Sequence, residues 1–269
     1  MQAVRGSGKA EIFAMIAHPV DHAKSPGIFN ELFERRGLDS LMVPLTCRPE
    51  AFATLWDGLT AATNVRGAII SVPFKTVAFE LCASAHERAR RVRSTNCIRR
   101  AEGGGWHADN FDGVGFIDAL TAGGHALAGR AILQLGAGGA GTALAYGLAE
   151  AGARHIRLFD VDAARAGRLA ALVMAAFPAC RVETGSADPT GMDMVINATP
   201  VGMHAGDPLP VDAGLLRPEM TVVDIIMEPV ETALLREARR IGCRVQEGRP
   251  MMDFQVGAMC RFFGIGEEG

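Results

Sequence analysis

The sequence predicts an α/β fold built as two units. Short apolar runs alternate with longer stretches of helical spacing, and that rhythm is the signature of a parallel sheet wrapped by helices. The alternation occurs twice, before and after the stretch "NFDGVGFIDALTAGG" (residues 110–124). The length, 269 residues with 49% hydrophobic and 21% charged content, suits one large globular domain or two modest ones.

In the first series "EIFAMIA" reads as a strand, "SPGIFNELFERRG" as a helix closed by Gly37, and "LMVPLT" as a strand. "PEAFATLWDGLTAA" follows as a helix that tolerates Gly58, and then "GAIISVPF" as a strand running into Lys75. "NFDGVGFIDALTAGG" begins the crossing to the second series. There "AILQLGAGG" gives a strand and turn, "TALAYGLAEAG" a helix, "HIRLFDV" a strand and "AARAGRLAALVMAAF" a helix, before apolar "MDMVINAT" and "TVVDII". The closing "PMMDFQVGAMCRFFG" has helical spacing and can pack on either unit. No short-period repeat or low-complexity tract interrupts the pattern.

A formal net charge of -3 gives no electrostatic reason to expect nucleic acid or an anionic membrane as partner. The Arg-rich "HERARRVRS" (86–94) reads as a solvated helix end. Six cysteines lie scattered without a CxxC pair, which suits reduced thiols of a cytoplasmic protein. No signal-peptide pattern is present, and no apolar run nears the roughly 18 residues of a membrane span. His18, His22, His107 and His204 lack metal-ligand spacing, so no metal site is expected.

Gly136, Gly138 and Gly141 in "LGAGGAG", with Gly139 between them, fit GxGxxG between a strand and an Ala-rich helix. Backbone amides and a helix N-terminus can meet a pyrophosphate there, and the last glycine lets helix and strand pack closely. Asp160 ends the next strand nineteen residues after Gly141, where an acid accepts hydrogen bonds from an adenosine ribose. A carboxylate at that position would repel a 2'-phosphate, so NAD is expected in preference to NADP. Asp162 fits two roles equally, a second cofactor contact or a helix cap.

Oxidising an alcohol with a nicotinamide needs a group to take the hydroxyl proton. Lys75 follows a predicted buried strand, where desolvation favours a neutral amine. Asp112, in "ADNFDGVG", offers a carboxylate that could hold such a lysine and a substrate hydroxyl in geometry. Spacing alone does not bring the two together, and by itself Lys75 reads as a surface charge.

The ordered set "HPVDHAKSP", "VPFK", "STNC", "DNFDGVG", "GAGGAG", "NATPVGM" and a final segment holding Gln255 resembles the shikimate and quinate dehydrogenase family over nearly the whole length. The resemblance implies two α/β domains. One is an N-terminal substrate-binding catalytic domain, residues 1–111, rejoined by residues 247–269. The other is a Rossmann-type NAD(P)-binding domain, residues 112–246, with substrate in the interdomain cleft. It implies reversible oxidation of a ring hydroxyl of a hydroxy acid, with Lys75 and Asp112 as the catalytic pair. It places Asn96 and Gln255 at substrate hydroxyls, Ser25 and Ser71 in the substrate site, and Asn197, Thr199, Gly202 and Met203 beside the nicotinamide. The oligomeric state stays open, a homodimer included.

The family pattern is broken at three substrate-facing places. Ala23 replaces a serine, Ile69 replaces a polar residue, and Met227 replaces a tyrosine, while Ser71 stands for a threonine. Each lost hydrogen bond is worth about 0.5 to 1.5 kcal/mol, so three losses weaken shikimate binding by about an order of magnitude or several. Two readings stand side by side: a shifted substrate preference, or compensation by His22 or Lys24. Three functions follow: an NAD-dependent dehydrogenase of a shikimate-like or quinate-like hydroxy acid, the same chemistry on a less polar cyclic alcohol, or a regulator that binds dinucleotide without turnover. Retention of both Lys75 and Asp112 argues against the last.

Overall fold

The structure is a computed structural model that describes residues 6–21 and 23–266; His22 lies outside the described residues. The chain divides into two compact units, residues 1–111 with 259–269, and residues 112–258.

The first unit runs β1 (Glu11–Ala17), α1 (Ser25–Arg35), β2 (Ser40–Thr46), α2 (Phe52–Ala61), β3 (Val65–Ile70), α3 (Lys75–Leu81), β4 (Ser84–Ala85), α4 (Glu87–Val92), β5 (Cys97–Arg100) and β6 (Trp106–Asp109). Its six strands lie in the order β2-β1-β3-β5-β6-β4. β1 pairs in parallel with β2 and β3, while β5 runs antiparallel to β3 and β6. Strand alternation divides the sheet's side chains between two faces. Ala14, Ile16, Ala68, Ile70 and Ile98 pack with Phe52, Trp56 and Phe74 in one cluster. Phe13 meets Phe33 and Phe263 at centroid distances of 5.4 and 4.9 Å in another. Fully buried aromatics such as Phe13 and Phe33 contribute about 1.5 to 3 kcal/mol each by burial.

Helix α1 begins with Pro26 in its first turn and buries Phe29, Leu32 and Phe33, three positions on one stripe. Gly37, at φ +62°, turns the chain out of it. β3 is shorter than the apolar run suggests. It stops at Ile70, the Ser71 carbonyl accepts from Phe74 N at 2.9 Å, and Lys75 opens α3 instead of ending a strand. Pro73, which lacks an N–H, lies inside that turn.

The second unit runs α5 (Asp112–Ala122), β7 (Ala131–Leu135), α6 (Gly139–Glu150), β8 (His155–Phe159), α7 (Ala163–Ala176), β9 (Arg181–Thr184), β10 (Met194–Asn197), β11 (Thr221–Asp224), α8 (Ala233–Ile241), β12 (Arg244–Gln246) and α9 (Arg249–Phe263), whose last residues belong to the first unit. Six parallel strands lie in the order β12-β11-β10-β7-β8-β9. This is the doubly wound order of a Rossmann sheet, and its switch point falls between β7 and β10. No helix among the described residues is long and apolar enough to cross a membrane.

Candidate active site

In the second unit the glycine segment leaves β7 at the switch point, where a doubly wound sheet presents its ligand crevice. Gly136 has φ +98°, a conformation that favours glycine, and a Cβ there would lie 2.7 Å from the Ala198 carbonyl oxygen. A Cβ on Gly141 would run into the Gly136 oxygen, so helix and turn are as close as backbone permits. Beside Gly138 and Gly139 a Cβ would meet open space, and α6 starts there with first-turn amides that have no intrahelical acceptor. A glycine cradle, open on one side and facing a helix N-terminus, fits a dinucleotide diphosphate.

Asp160 shapes this loop. Its Oδ2 accepts from Ala137 N and its Oδ1 from Asp162 N, both at 2.8 Å, and its side chain is only 6% exposed. An Arg165 nitrogen lies 3.6 Å from Oδ1. Asp162 is the helix cap: it accepts from Arg165 N at 3.0 Å, which holds its carboxyl below the usual range.

Across the switch point, β10 delivers Asn197, fully buried, into a polar network. Its Oδ1 accepts from Thr199 N at 3.1 Å and from Thr199 Oγ1 at 2.6 Å, and its Nδ2 donates to Val201 O and Asp224 Oδ2. Asp224 also accepts from Ile226 N and Thr232 Oγ1. Burial pushes its carboxyl up, against the pull of these donors. Asp207 accepts from the amides of Gly202 and His204, on either side of half-exposed Met203. Sequence reading named Asn197, Thr199 and Met203 but did not name Asp224, Thr232 and Asp207, which hydrogen-bond to their loops. An acid inside "TVVDII" was the available signal.

Gln255 is buried on α9 and packs on Gly115, three residues beyond Asp112 on α5. A Cβ at Gly115 would lie 2.6 Å from Met251 O and would run into the Gln255 side chain.

In the first unit the candidate residues gather where β1, β3 and β6 end and β5 begins. The Lys75 carbonyl accepts from Thr95 N at 3.0 Å, so α3 starts against the segment carrying Asn96. Asn96 Oδ1 accepts from Phe111 N at 2.9 Å, immediately before Asp112 in the chain. Asn96 N donates to Asp109 O, and Thr95 Oγ1 donates to the carbonyls of Cys97 and Asp109. Ser94, Thr95, Asn96, Asp109 and Asn110 are all buried, a polar density that an ordinary core avoids. Asp112, which opens α5 of the second unit, is buried as well. Ser71 N donates to Ile16 O at 2.8 Å, which places it at the same strand ends. Ser25 is buried in the first turn of α1. Arg88, in the stretch read as a solvated helix end, instead pairs with buried Asp109. Of the altered positions, Ile69 is 5% exposed and pairs with Met15 and Cys97, Ala23 is half-buried, and Met227 is exposed.

A Rossmann sheet with a glycine cradle, in one chain with a second α/β unit that carries a lysine, amides and carboxylates at its strand ends, is the build of a two-domain dehydrogenase. Residues 15–98 match the substrate-binding domain of shikimate dehydrogenase. The shikimate dehydrogenase (NADP(+)) of Rubrobacter xylanophilus is 36% identical over 95% of this chain and 91% of its own. Shikimate 5-dehydrogenase from Listeria monocytogenes, solved with shikimate and NAD, superposes with a TM-score of 0.90 at 28% identity, covering 99% of this chain and 96% of that one. Quinate dehydrogenase from Corynebacterium glutamicum, solved with NAD, does so with a TM-score of 0.87 at 26% identity, over 94% and 93%. The chain belongs to the shikimate and quinate dehydrogenase family.

One expectation is corrected. Asp160 predicted NAD in preference to NADP, whereas the curated relatives are shikimate dehydrogenases named for NADP(+). The physical reason is visible at β8. Both Asp160 oxygens are engaged by loop amides, and Arg165 stands beside the carboxylate. The acid is therefore a support of the glycine turn, and its presence in the sequence does not by itself bar a 2'-phosphate.

Proposed function

We propose that this chain reversibly oxidises a ring hydroxyl of a shikimate-like or quinate-like hydroxy acid to the ketone, using NADP. The observation that supports the reading is the buried polar segment of Thr95, Asn96, Asp109 and Asn110, which is hydrogen-bonded to the Lys75 carbonyl and to the Phe111 amide. Such a concentration of hydrogen-bonding groups at strand ends suits a hydroxylated substrate.

Lys75 takes the hydroxyl proton in the oxidation and returns it in the reduction. Asp112 holds the lysine and the reacting hydroxyl in line, and Asn96 and Gln255 hold neighbouring hydroxyls. Ser25, in the first turn of α1, donates to the substrate carboxylate, where the helix N-terminus favours negative charge. Ser71 adds a hydroxyl at the strand ends. Gly136, Gly138, Gly139 and Gly141 receive the dinucleotide diphosphate, and Asn197, Thr199 and Met203 form the loop beside the nicotinamide. The bound dinucleotide supplies the hydride acceptor. Arg165 is the cation available to a 2'-phosphate.

A second reading rests on Ile69, Ala23 and Met227: the same chemistry on a less polar cyclic alcohol, since these side chains offer no hydrogen bond to a substrate. Six cysteines without a disulfide suit a reducing compartment, and we place the protein in the cytoplasm.

The test is absorbance at 340 nm with purified protein, NADP and NAD, against shikimate, quinate and cyclic alcohols lacking the carboxylate. Turnover of the acids supports the first reading, and turnover confined to the alcohols the second. Dinucleotide binding without any turnover would reject both.

A further inference from the structure

Strand β7 is flanked by β10 and β8, and its side chains alternate in direction. Ala131, Leu133 and Leu135 belong to one apolar cluster, and Gln134 faces the other way. Gln134 is fully buried, in a central strand that could be apolar throughout. Its Nε2 donates to Gly136 O at 2.9 Å and to Gly141 O at 2.8 Å, bracing the glycine turn at both its ends. Its Oε1 is buried without a partner. A side chain left half satisfied in a core is a poor choice for the fold alone.

The peptide between Gly136 and Ala137 is gripped from two sides. Its carbonyl accepts from Gln134, and its N–H donates to Asp160. With that plane fixed, the following amides of the turn keep one orientation. A loop held in its binding conformation before the ligand arrives spends less binding energy on ordering.

We infer that Gln134 is a positioning residue for the dinucleotide, holding the glycine turn in the form that receives the diphosphate; this rests on the dinucleotide-dependent reading above. In Gln134→Met, which keeps the shape and removes both donors, the Gly136–Ala137 peptide loses the side chain that ties its carbonyl to the start of α6. Dinucleotide binding must then order that peptide.

Titration of NADPH, followed by its nicotinamide fluorescence without substrate, should give a Kd about 5- to 30-fold above the parent's for Gln134→Met. The unfolding midpoint of the dinucleotide-free variant should stay close to the parent's. Gln134→Leu, which also lacks a donor, should lose about as much affinity. A Met variant that binds NADPH as tightly as the parent would overturn the inference, and so would a lowered midpoint with unchanged affinity, which assigns Gln134 to the fold alone. If the parent itself binds neither NADP nor NAD, the dinucleotide reading falls and the inference with it. A measurement on the parent covers a Met variant that fails to fold. By NMR, the Gln134 side-chain amide protons should exchange slowly and shift when NADP is added, and exchange at the rate of free glutamine would refute the brace.

Discussion

Arg88 closes on Asp109 with two parallel hydrogen bonds, Nε to Oδ1 at 2.7 Å and an Nη to Oδ2 at 2.5 Å, although Arg88 is 38% exposed and Asp109 only 1%. The guanidinium also lies 4.7 Å from the Phe111 ring centroid. The pair clamps the segment that leads from Asp109 to Asp112. Arg88→Met would leave a buried carboxylate uncompensated, and because the arginine is partly solvated we expect a loss of about 2 kcal/mol rather than the larger cost of a fully buried pair. Urea unfolding measures it, and Arg88→Lys should recover part of the loss by restoring charge without the two-point grip.

Arg165 should discriminate between the two dinucleotides. It stands on the first turn of α7, 3.6 Å from both Asp160 and Asp162, with half its side chain exposed. Arg165→Ala should raise the Kd of NADP about tenfold or more, the worth of a charge-assisted hydrogen bond, and change that of NAD little. Parallel isothermal titrations decide the matter, since an equal effect on both ligands would remove Arg165 from 2'-phosphate recognition.

Replacing Lys75 tests proton transfer. In Lys75→Met turnover should fall about 10²- to 10⁴-fold, the usual worth of general base catalysis, with a much smaller change in substrate KM. Steady-state kinetics at saturating dinucleotide separate the two, and an active variant would end the assignment.

His125 gives a pH dependence with a definite sign. Burial, helped by the positive charge of Arg244, holds its imidazole below the ordinary value of 6.5. The unfolded chain therefore binds the proton more readily, and stability falls as pH drops through 6.5 toward the folded value. Urea midpoints at pH 7.5 and 5.5 should differ more for the parent than for His125→Gln. His107 shifts in the same direction, so part of the dependence should persist in that variant.

The legible parts of the sequence were those whose residues interact locally or along one strand. β1, β3 and β7 stand out as apolar runs, α1 by its stripe, and the glycine turn by its spacing. β5 and β6 did not stand out, because "CIRR" and "WHAD" are polar to the eye. They exist through tertiary pairing: Arg100 donates to the carbonyls of Leu59, Thr60, Ala62 and Val65, and Trp106 Nε1 to Thr60 Oγ1. Helix α8 was overlooked although Leu234, Leu235 and Ala238 carry helical spacing, with Thr232 as its cap and Gly242 closing it. Asp224 and Thr232 were missed for a different reason. Their roles depend on bonds to residues up to 27 positions away, a relation with no period.

Helix α5 shows how little slack the second unit allows where it begins. A methyl group at Gly113 would sit 2.7 Å from the Ala143 carbonyl of α6, and one at Gly115 would press on the backbone of α9. Two neighbouring helices thus index α5 largely by main chain, with the Gln255 side chain adding a contact at Gly115. Tolerance to mutation should therefore be inverted along "DGVG": the two smallest residues are the hardest to replace, and Val114 between them is the one open to redesign.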